Sequence, residues 1–476
     1  MIITLKFSSY DIFIFRGFNI IRWRYALRKG TVMFMSKLSS IQILVIGFFG
    51  IITLGSILLM LPIATRDGET TTLINAIFTA TSATCVTGLV VYDTYAHWTL
   101  FGQATILTMI QIGGLGFMSV ATFLSIALRR KISLKERGII QEAMNMPEIA
   151  GVVRLMRHVL IGTVCFELCG AVIFCFKFIP IMGIARGIYT SVFHSVSSFC
   201  NAGFDLFGRI EPGSSLEHFN DDVLINIVTI ALIVIGGIGF YVWEDIHKNG
   251  IHFKRYKLHS KMVISMTLFL IIVPAILFFV LERNNAYKDF STPQAMMSAG
   301  FQSVTLRTAG FSTVHPSNLT DSSSLLGCVL MLIGGSPGST AGGIKTTSFM
   351  VLILGVVSML AKRDSITAFK RRLPHGFLTK VSAILTMYLF FAFISVGIIC
   401  AVDSVNLKEG LFQVFSAIGT VGVDMTDTAL ASNISKAILS VLMFFGRIGG
   451  LSLALAFAKP ITASPIKYPT EKISVG

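Results

Sequence analysis

Charge is what this chain has least of: 13% of its 476 residues are Asp, Glu, Lys or Arg, about half the share expected of a soluble globular domain. Metal and disulfide spacing are missing as well. The seven cysteines, Cys85, Cys165, Cys169, Cys175, Cys200, Cys328 and Cys400, sit in or beside apolar segments, where cysteine is usually a small packing residue. No HExxH, GxSxG or phosphate-cradling glycine loop occurs, and the carboxylates within apolar runs reduce to Glu167. Together these absences leave little room for a soluble enzyme, a metal centre or a hydrolase.

Long apolar runs are what the chain does have. Hydrophobic residues make up 53% of it, and crossing about 30 Å of hydrocarbon takes roughly 20 residues. Runs of that size cover 41–63, 99–128, 158–180, 223–243, 262–281, 381–402 and 435–458. An eighth, 325–360, is broken by GGSPGSTAGG. Eight spans put both termini on one side. The first 40 residues, the loops 129–157, 245–261 and 361–380, and the tail from Lys459 carry 28 of the 39 Lys and Arg. The opposite side carries 15 of the 24 acids. This bias places the termini in the cytoplasm. The net charge of +15 then reads as topology and contact with anionic lipid, not nucleic-acid binding. No signal peptide is apparent. The N-terminal segment, with Arg16, Arg22, Arg24 and Arg28 among short apolar runs, reads as a basic stretch lying at the inner membrane face.

Four short motifs recur: SATCVTGL (82–89), SSFCNAGF (197–204), VTLRTAGF (304–311) and SAIGTVGV (416–423). Their glycines, Gly88, Gly203, Gly310 and Gly422, are 115, 107 and 112 residues apart, a near-constant period that implies fourfold duplication. Each motif follows a semi-apolar stretch of about a dozen residues, too short to span at 1.5 Å per residue, and stands between two long runs. All four therefore enter from the outer face as re-entrant helices. A Gly in such a place usually packs helices together, but four at one period point elsewhere. Irregular backbone is tolerated at membrane depth only where protein encloses it or it lines a water-filled path. Four such segments around one axis can turn carbonyls inward to replace the water shell of a cation, and glycine allows the positive φ this needs.

The expected architecture is thus an all-α polytopic membrane protein of four tandem helix/pore-loop/helix repeats around one central pore. A basic segment (1–40) precedes repeats at 41–128, 158–244, 262–360 and 381–458, and a tail (459–476) follows them. The second helices share glycine-rich stretches: QIGGLGFM (111–118), VIGGIGFY (234–241), LIGGSPGSTAGGIKT (332–346) and GRIGGLSL (446–453). Close helix packing explains most of these glycines. Only the third, with Pro337 in a glycine run, is expected to break its helix. Arg447 lies inside an apolar helix, where a charge is costly and functional by default.

TSATCVTGLVVYDT, FCNAGFDLFG, RTAGFSTV and GTVGV make the chain resemble the Trk/Ktr/HKT superfamily of potassium transporters, most closely the Ktr-type membrane subunit, over roughly residues 38–460. About 40 residues precede the first repeat, where a Trk-type subunit has a further helix pair; this favours the Ktr type. The resemblance implies potassium uptake across the bacterial plasma membrane. It assigns a selectivity filter to Thr87, Gly88, Asn201, Ala202, Gly203, Thr308, Ala309, Gly310, Thr420, Val421 and Gly422, with K+ at their backbone carbonyls. It assigns a gate to Gly334, Gly335, Ser336, Pro337, Gly338, Ser339, Thr340 and Lys345, with Arg447 as a barrier below the filter. Arg307 is expected to brace its loop from behind. In this family a serine at the first filter glycine goes with sodium, so Gly88 favours potassium; coupling to sodium is left open. No cofactor is expected in the chain. The expected partners are a second copy, forming a homodimer, and a ring of cytoplasmic nucleotide-binding regulatory subunits. The competing reading is a secondary transporter of another cation or small solute. Such carriers often have inverted repeats, whereas these four run in one direction.

Overall fold

A computed structural model describes residues 38–116, 118–119, 122, 134–143, 151–210, 213–374, 376–457 and 471. The basic N-terminal stretch before residue 38, much of the loop 129–157 and nearly all of the tail lie outside the described residues.

Among the described residues, four helices are individually long and apolar enough to cross a membrane: Ser40–Leu59, Val152–Met182, Leu258–Glu282 and Phe377–Asp403. Each opens one repeat. Ser39 caps the first through a box with Gln42, which satisfies two otherwise orphaned backbone donors. Their outer faces carry exposed Phe49, Leu168, Ile272 and Phe393, as a lipid-facing surface requires. Short helices follow at Leu73–Cys85, Ile184–Cys200, Thr292–Thr305 and Leu407–Gly419, of 13, 17, 14 and 13 residues. At 1.5 Å per residue they reach roughly 20–26 Å, less than a full crossing. Each packs against the long helix before it.

The second helices close the ring. Leu100–Leu115 packs on the short helix Ile184–Cys200 of the next repeat, Val223–Gly237 on Thr292–Thr305, and Asp321–Leu332 on Leu407–Gly419. Asn433–Ile448 returns to Leu73–Cys85 of the first. Glycine also lets the second helices of the first, second and fourth repeats approach the short helix of their own repeat. A Cβ on Gly113 would overlap the Thr84 carbonyl, one on Gly236 that of Phe199, and one on Gly446 that of Ile418. Those carbonyls all lie four residues before a motif glycine, so the three contacts are equivalent.

The sequence led to one broken second helix, and the structure has more. Val223–Gly237 turns through 96° into Phe240–Asn249, and Asn433–Ile448 turns through 93° into the next helix from Gly450. Leu100–Leu115 ends at Gly116. The residues at the breaks, Gly116, Gly239 and Gly449, have φ of +80°, +98° and +91°, where any other residue would be strained. Each lies three positions after a packing glycine. The spacing that brings helices together thus also ends them. A two-residue antiparallel pair, Thr367–Ala368 with Arg371–Arg372, is a small departure from an all-helical chain.

Candidate ion pathway

The short helices all end at the motif glycines, and the chain leaves three of them in the same way. Val86 N–H donates to Ala83 O at 3.2 Å and Thr87 N–H to Ser82 O at 2.8 Å. Asn201 and Ala202 repeat this on Ser198 and Ser197 at 3.2 and 2.8 Å, and Thr420 and Val421 on Ala417 and Ser416 at 3.1 and 2.8 Å. The third motif takes an extra turn first, with Ala309 N–H on Thr305 O at 2.9 Å. Two left-handed residues with one between them then appear in every repeat. Val86, Asn201, Thr308 and Thr420 have φ of +57°, +59°, +75° and +55°; Gly88, Gly203, Gly310 and Gly422 have +98°, +70°, +84° and +93°. Two of the glycine amides are pinned by serines of their own short helix, Gly88 by Ser82 Oγ at 3.1 Å and Gly422 by Ser416 Oγ at 3.0 Å.

The four segments meet. A Cβ on Gly88 would stand 2.6 Å from Ala202 O. One on Gly203 would stand 2.8 Å from Gly310 Cα and 3.1 Å from Ala309 O, and one on Gly310 2.7 Å from Val421 O. One on Gly422 would overlap Thr87 O. Each glycine therefore faces the next segment, and the last faces the first. The carbonyls encountered belong to Thr87, Ala202, Ala309 and Val421, one per repeat. All eleven residues singled out in these motifs are brought together.

Above them opens a cavity of about 710 Å³ with all four motif glycines among its walls. Its lining includes Asp93, Asp205, Glu217, Asp424 and Asp427 but no Lys or Arg. Burial pushes the Asp205 carboxyl up to about 7, and neighbouring Asp93 and Glu217 add to the rise; Phe207 N–H and Ser215 oppose it. Asp424 is raised by burial too, against hydrogen bonds from Thr428, Thr426 and Gln413. The charge bias puts acids on this side of the membrane; their convergence on one cavity is a feature of the fold. Asp205 and Asp424 each stand two residues past a motif glycine, which was the available signal. Arg307 is buried, 7% exposed, and is not part of the cavity lining.

Beneath lies the interrupted segment between Asp321–Leu332 and Thr346–Leu360. Its backbone is tied down on two sides. Gly334 N–H donates to Ile344 O at 2.9 Å and Thr346 N–H to Gly335 O at 3.1 Å, closing the loop on itself. Ser336 N–H donates to Gly237 O at 3.0 Å and Thr340 N–H to Gly236 O at 3.3 Å, and Gly338 O accepts from Phe240 N–H at 2.8 Å. These bonds use backbone groups freed at the break after Gly237, so two interruptions satisfy one another. Lys345 Nζ donates to Ala341 O at 2.7 Å and Gly342 O at 3.3 Å. Arg447 donates from Nη1 to Thr340 O and from Nη2 to Gly113 O and Gly114 O. One guanidinium thus joins the first, third and fourth repeats. Because Gly446 occupies the place of Gly113 and Gly236, Arg447 stands where the first two repeats have Gly114 and Gly237. The Glu167 carboxylate accepts from Gln111 Nε2 at 3.0 and 3.2 Å and stands 3.9 Å from Cys200 Sγ.

Four pore-loop units closed into a ring, with an acidic mouth above and a tied interruption below, define a membrane transport protein of the pore-loop class and not an enzyme. The TrkH family model, described as a cation transport protein, matches residues 37–464, and the chain belongs to that family. It is 37% identical over 452 residues to the Ktr system potassium uptake protein B of Bacillus subtilis, covering 94% of this chain and 100% of that one. It is 38% identical over 450 residues to the potassium/sodium uptake protein NtpJ of Enterococcus hirae, covering 92% and 98%. The crystal structure of the potassium transporter TrkH from Vibrio parahaemolyticus shares the fold, with a TM-score of 0.71 at 18% identity over 89% of this chain and 86% of that one.

Proposed function

We propose that the chain takes up potassium across the bacterial plasma membrane, with both termini in the cytoplasm, through a filter formed by Thr87–Gly88, Asn201–Gly203, Thr308–Gly310 and Thr420–Gly422. The observation that carries this reading is the ring of four positive-φ glycines at the base of a cavity lined by acids and, among the described residues, free of Lys and Arg. The carboxylates raise the local cation concentration. The four short helices end at the ring, so their C-terminal dipole ends, each equivalent to about half a negative charge, favour a cation there. Carbonyls replace the water shell that the ion loses on entry. The names of the relatives, a potassium uptake protein and a potassium/sodium uptake protein, favour potassium as the cargo and leave sodium as a test.

Gly334–Thr340 and Lys345, with Arg447, form the gate in this reading. The guanidinium both repels a waiting cation and holds the segment in place through Thr340 O. Assembly as a homodimer with a cytoplasmic nucleotide-binding ring is part of the same proposal, and the basic inner loops are the docking surface. The test is potassium uptake by cells lacking other potassium systems, with and without external sodium. Growth at limiting potassium and saturable uptake are expected. Uptake of an organic solute without potassium would overturn the reading.

A further inference from the structure

The interrupted segment touches the glycine segments as well as lying beneath them. Thr340 Oγ1 is 3.3 Å from Phe199 O and 3.3 Å from the Asn201 amide. The other end of that amide is 3.4 Å from Thr308 Oγ1. Turned so that Nδ2 faces Thr340, the amide also donates to Phe199 O and Ile233 O, both at 3.2 Å. In either orientation it bridges a hydroxyl of the interrupted segment and one of the third glycine segment. Two residues further on, Gly342 lies so close to Thr420 that a Cβ would overlap its hydroxyl, and a Cβ on Gly343 would lie 3.2 Å from Gly419 O. Among the residues met, Asn201 and Thr420 are left-handed ones two places before the motif glycines, and Thr308, reached through Asn201, is a third. These three are polar; the fourth such residue, Val86, is not. The contacts described reach the three polar ones.

We propose that Thr340 and Asn201 couple the interrupted segment to the filter, so that the segment's position sets the spacing of the second and third filter strands as well as opening or closing the path below. Asn201 is a positioning residue in this scheme: it acts through Thr308 and through its own strand. When Thr340 withdraws, the amide end facing it loses that contact. With Oδ1 there the end is left unpaired, a cost relieved only if the amide moves; with Nδ2 there it is held by Phe199 O and Ile233 O alone, so its position is set within the second repeat and no longer by the interrupted segment. Movement of Asn201 shifts Ala202 O and Gly203, which pack directly on Gly88 and Gly310. Selectivity and gating are then two readouts of one contact. The inference rests on the filter reading above.

The experiment measures the ratio of potassium to sodium uptake, together with total flux and the amount of protein in the membrane. Thr340→Val removes the hydroxyl at nearly constant shape and is expected to lower the ratio roughly five- to tenfold, the scale of one lost hydrogen bond. Thr340→Ser, which restores the hydroxyl, recovers the ratio. Asn201→Gly keeps a residue tolerant of positive φ while removing the amide, and should lower the ratio by a similar factor. Adding Thr340→Val to Asn201→Gly should lower the ratio no further, because the Thr340 contact acts through the amide already removed. A change in flux alone, equal ratios for Thr340→Val and Thr340→Ser, or additive losses would overturn the coupling. Should Thr340→Val fail to reach the membrane, Asn201→Gly still decides, since an unchanged ratio there is incompatible with the proposal. Gly88→Ser separates the two readings. If it shifts the ratio and these variants do not, the coupling fails and the filter stands; if none does, the filter reading fails.

Discussion

Gly88→Ser tests the filter at its first strand, and the geometry sets the scale of the effect. At φ of +98° a residue with a Cβ carries a backbone cost of about 1–3 kcal/mol. The new Cβ would also start 2.6 Å from Ala202 O and 3.0 Å from Gly203 Cα. Restoring ordinary contact near 3.4 Å requires a displacement of roughly 0.8 Å between the first and second strands. That displacement widens or skews the carbonyl cage and removes discrimination worth about 1.4 kcal/mol for every tenfold of selectivity. A fall of about tenfold or more in the ratio of potassium to sodium uptake is expected, with protein still in the membrane. Gly68→Ser is the control. It has φ of +70° but no atom within 4 Å of its Cβ, so it shares the strain without touching the filter, and its ratio should stay at the wild-type value. An unchanged ratio in Gly88→Ser would remove position 88 from the filter. A drop in Gly68→Ser of equal size would show that the assay reports general destabilisation.

Arg447→Gln removes a charge and at least one of three carbonyl contacts, so flux should rise about tenfold while stability in detergent falls by roughly 2–3 kcal/mol. Unchanged flux with lowered stability would leave only the clamp. Deleting Ser336–Thr340 removes the Gly237, Gly236, Arg447 and Asn201 contacts together, so uptake should become several-fold faster and less dependent on any cytoplasmic partner; a stably inserted but inactive variant would refute the gate assignment. For Asp205, whose carboxyl burial raises to about 7, the charged form is lost as external pH falls through that value. Uptake at limiting potassium should therefore decline from about pH 8 to 6, and Asp205→Asn should remove that step and be slow throughout; an identical pH profile in the variant would show that another group is responsible.

What the sequence could carry was whatever glycine or hydrophobic length marks. The period of Gly88, Gly203, Gly310 and Gly422 identified the repeats, and Pro337 marked one interruption, because only these residue types advertise a backbone that others avoid. The other left-handed position carries no such mark in three of the four motifs. Val86, Thr308 and Thr420 are β-branched and among the least expected residues at positive φ. The turn that ends each short helix holds them there, through the bonds to Ser82 O and Ser416 O in the first and fourth repeats and to Thr305 O in the third. The breaks at Gly116, Gly239 and Gly449 were illegible for the opposite reason. Glycine is so common where membrane helices pack that Gly113, Gly236 and Gly446 make the following glycine read as more of the same. That ambiguity also hid the register of the fourth repeat. In the Ile-Gly-Gly register of the sequence, Arg447 precedes the motif; in the register of the contacts, it replaces the second glycine of the pair. In the first repeat a side chain at this place is excluded, since a Cβ on Gly114 would lie 2.7 Å from Cys200 Sγ. In the fourth an arginine stands there with three carbonyls, from Gly113, Gly114 and Thr340, to take its donors. Two of those carbonyls come from the glycine pair of the first repeat and the third from the interruption in the third repeat. The departure from fourfold symmetry at Arg447 is therefore tied to the departure at Thr340, and neither can be explained by reading its own repeat alone.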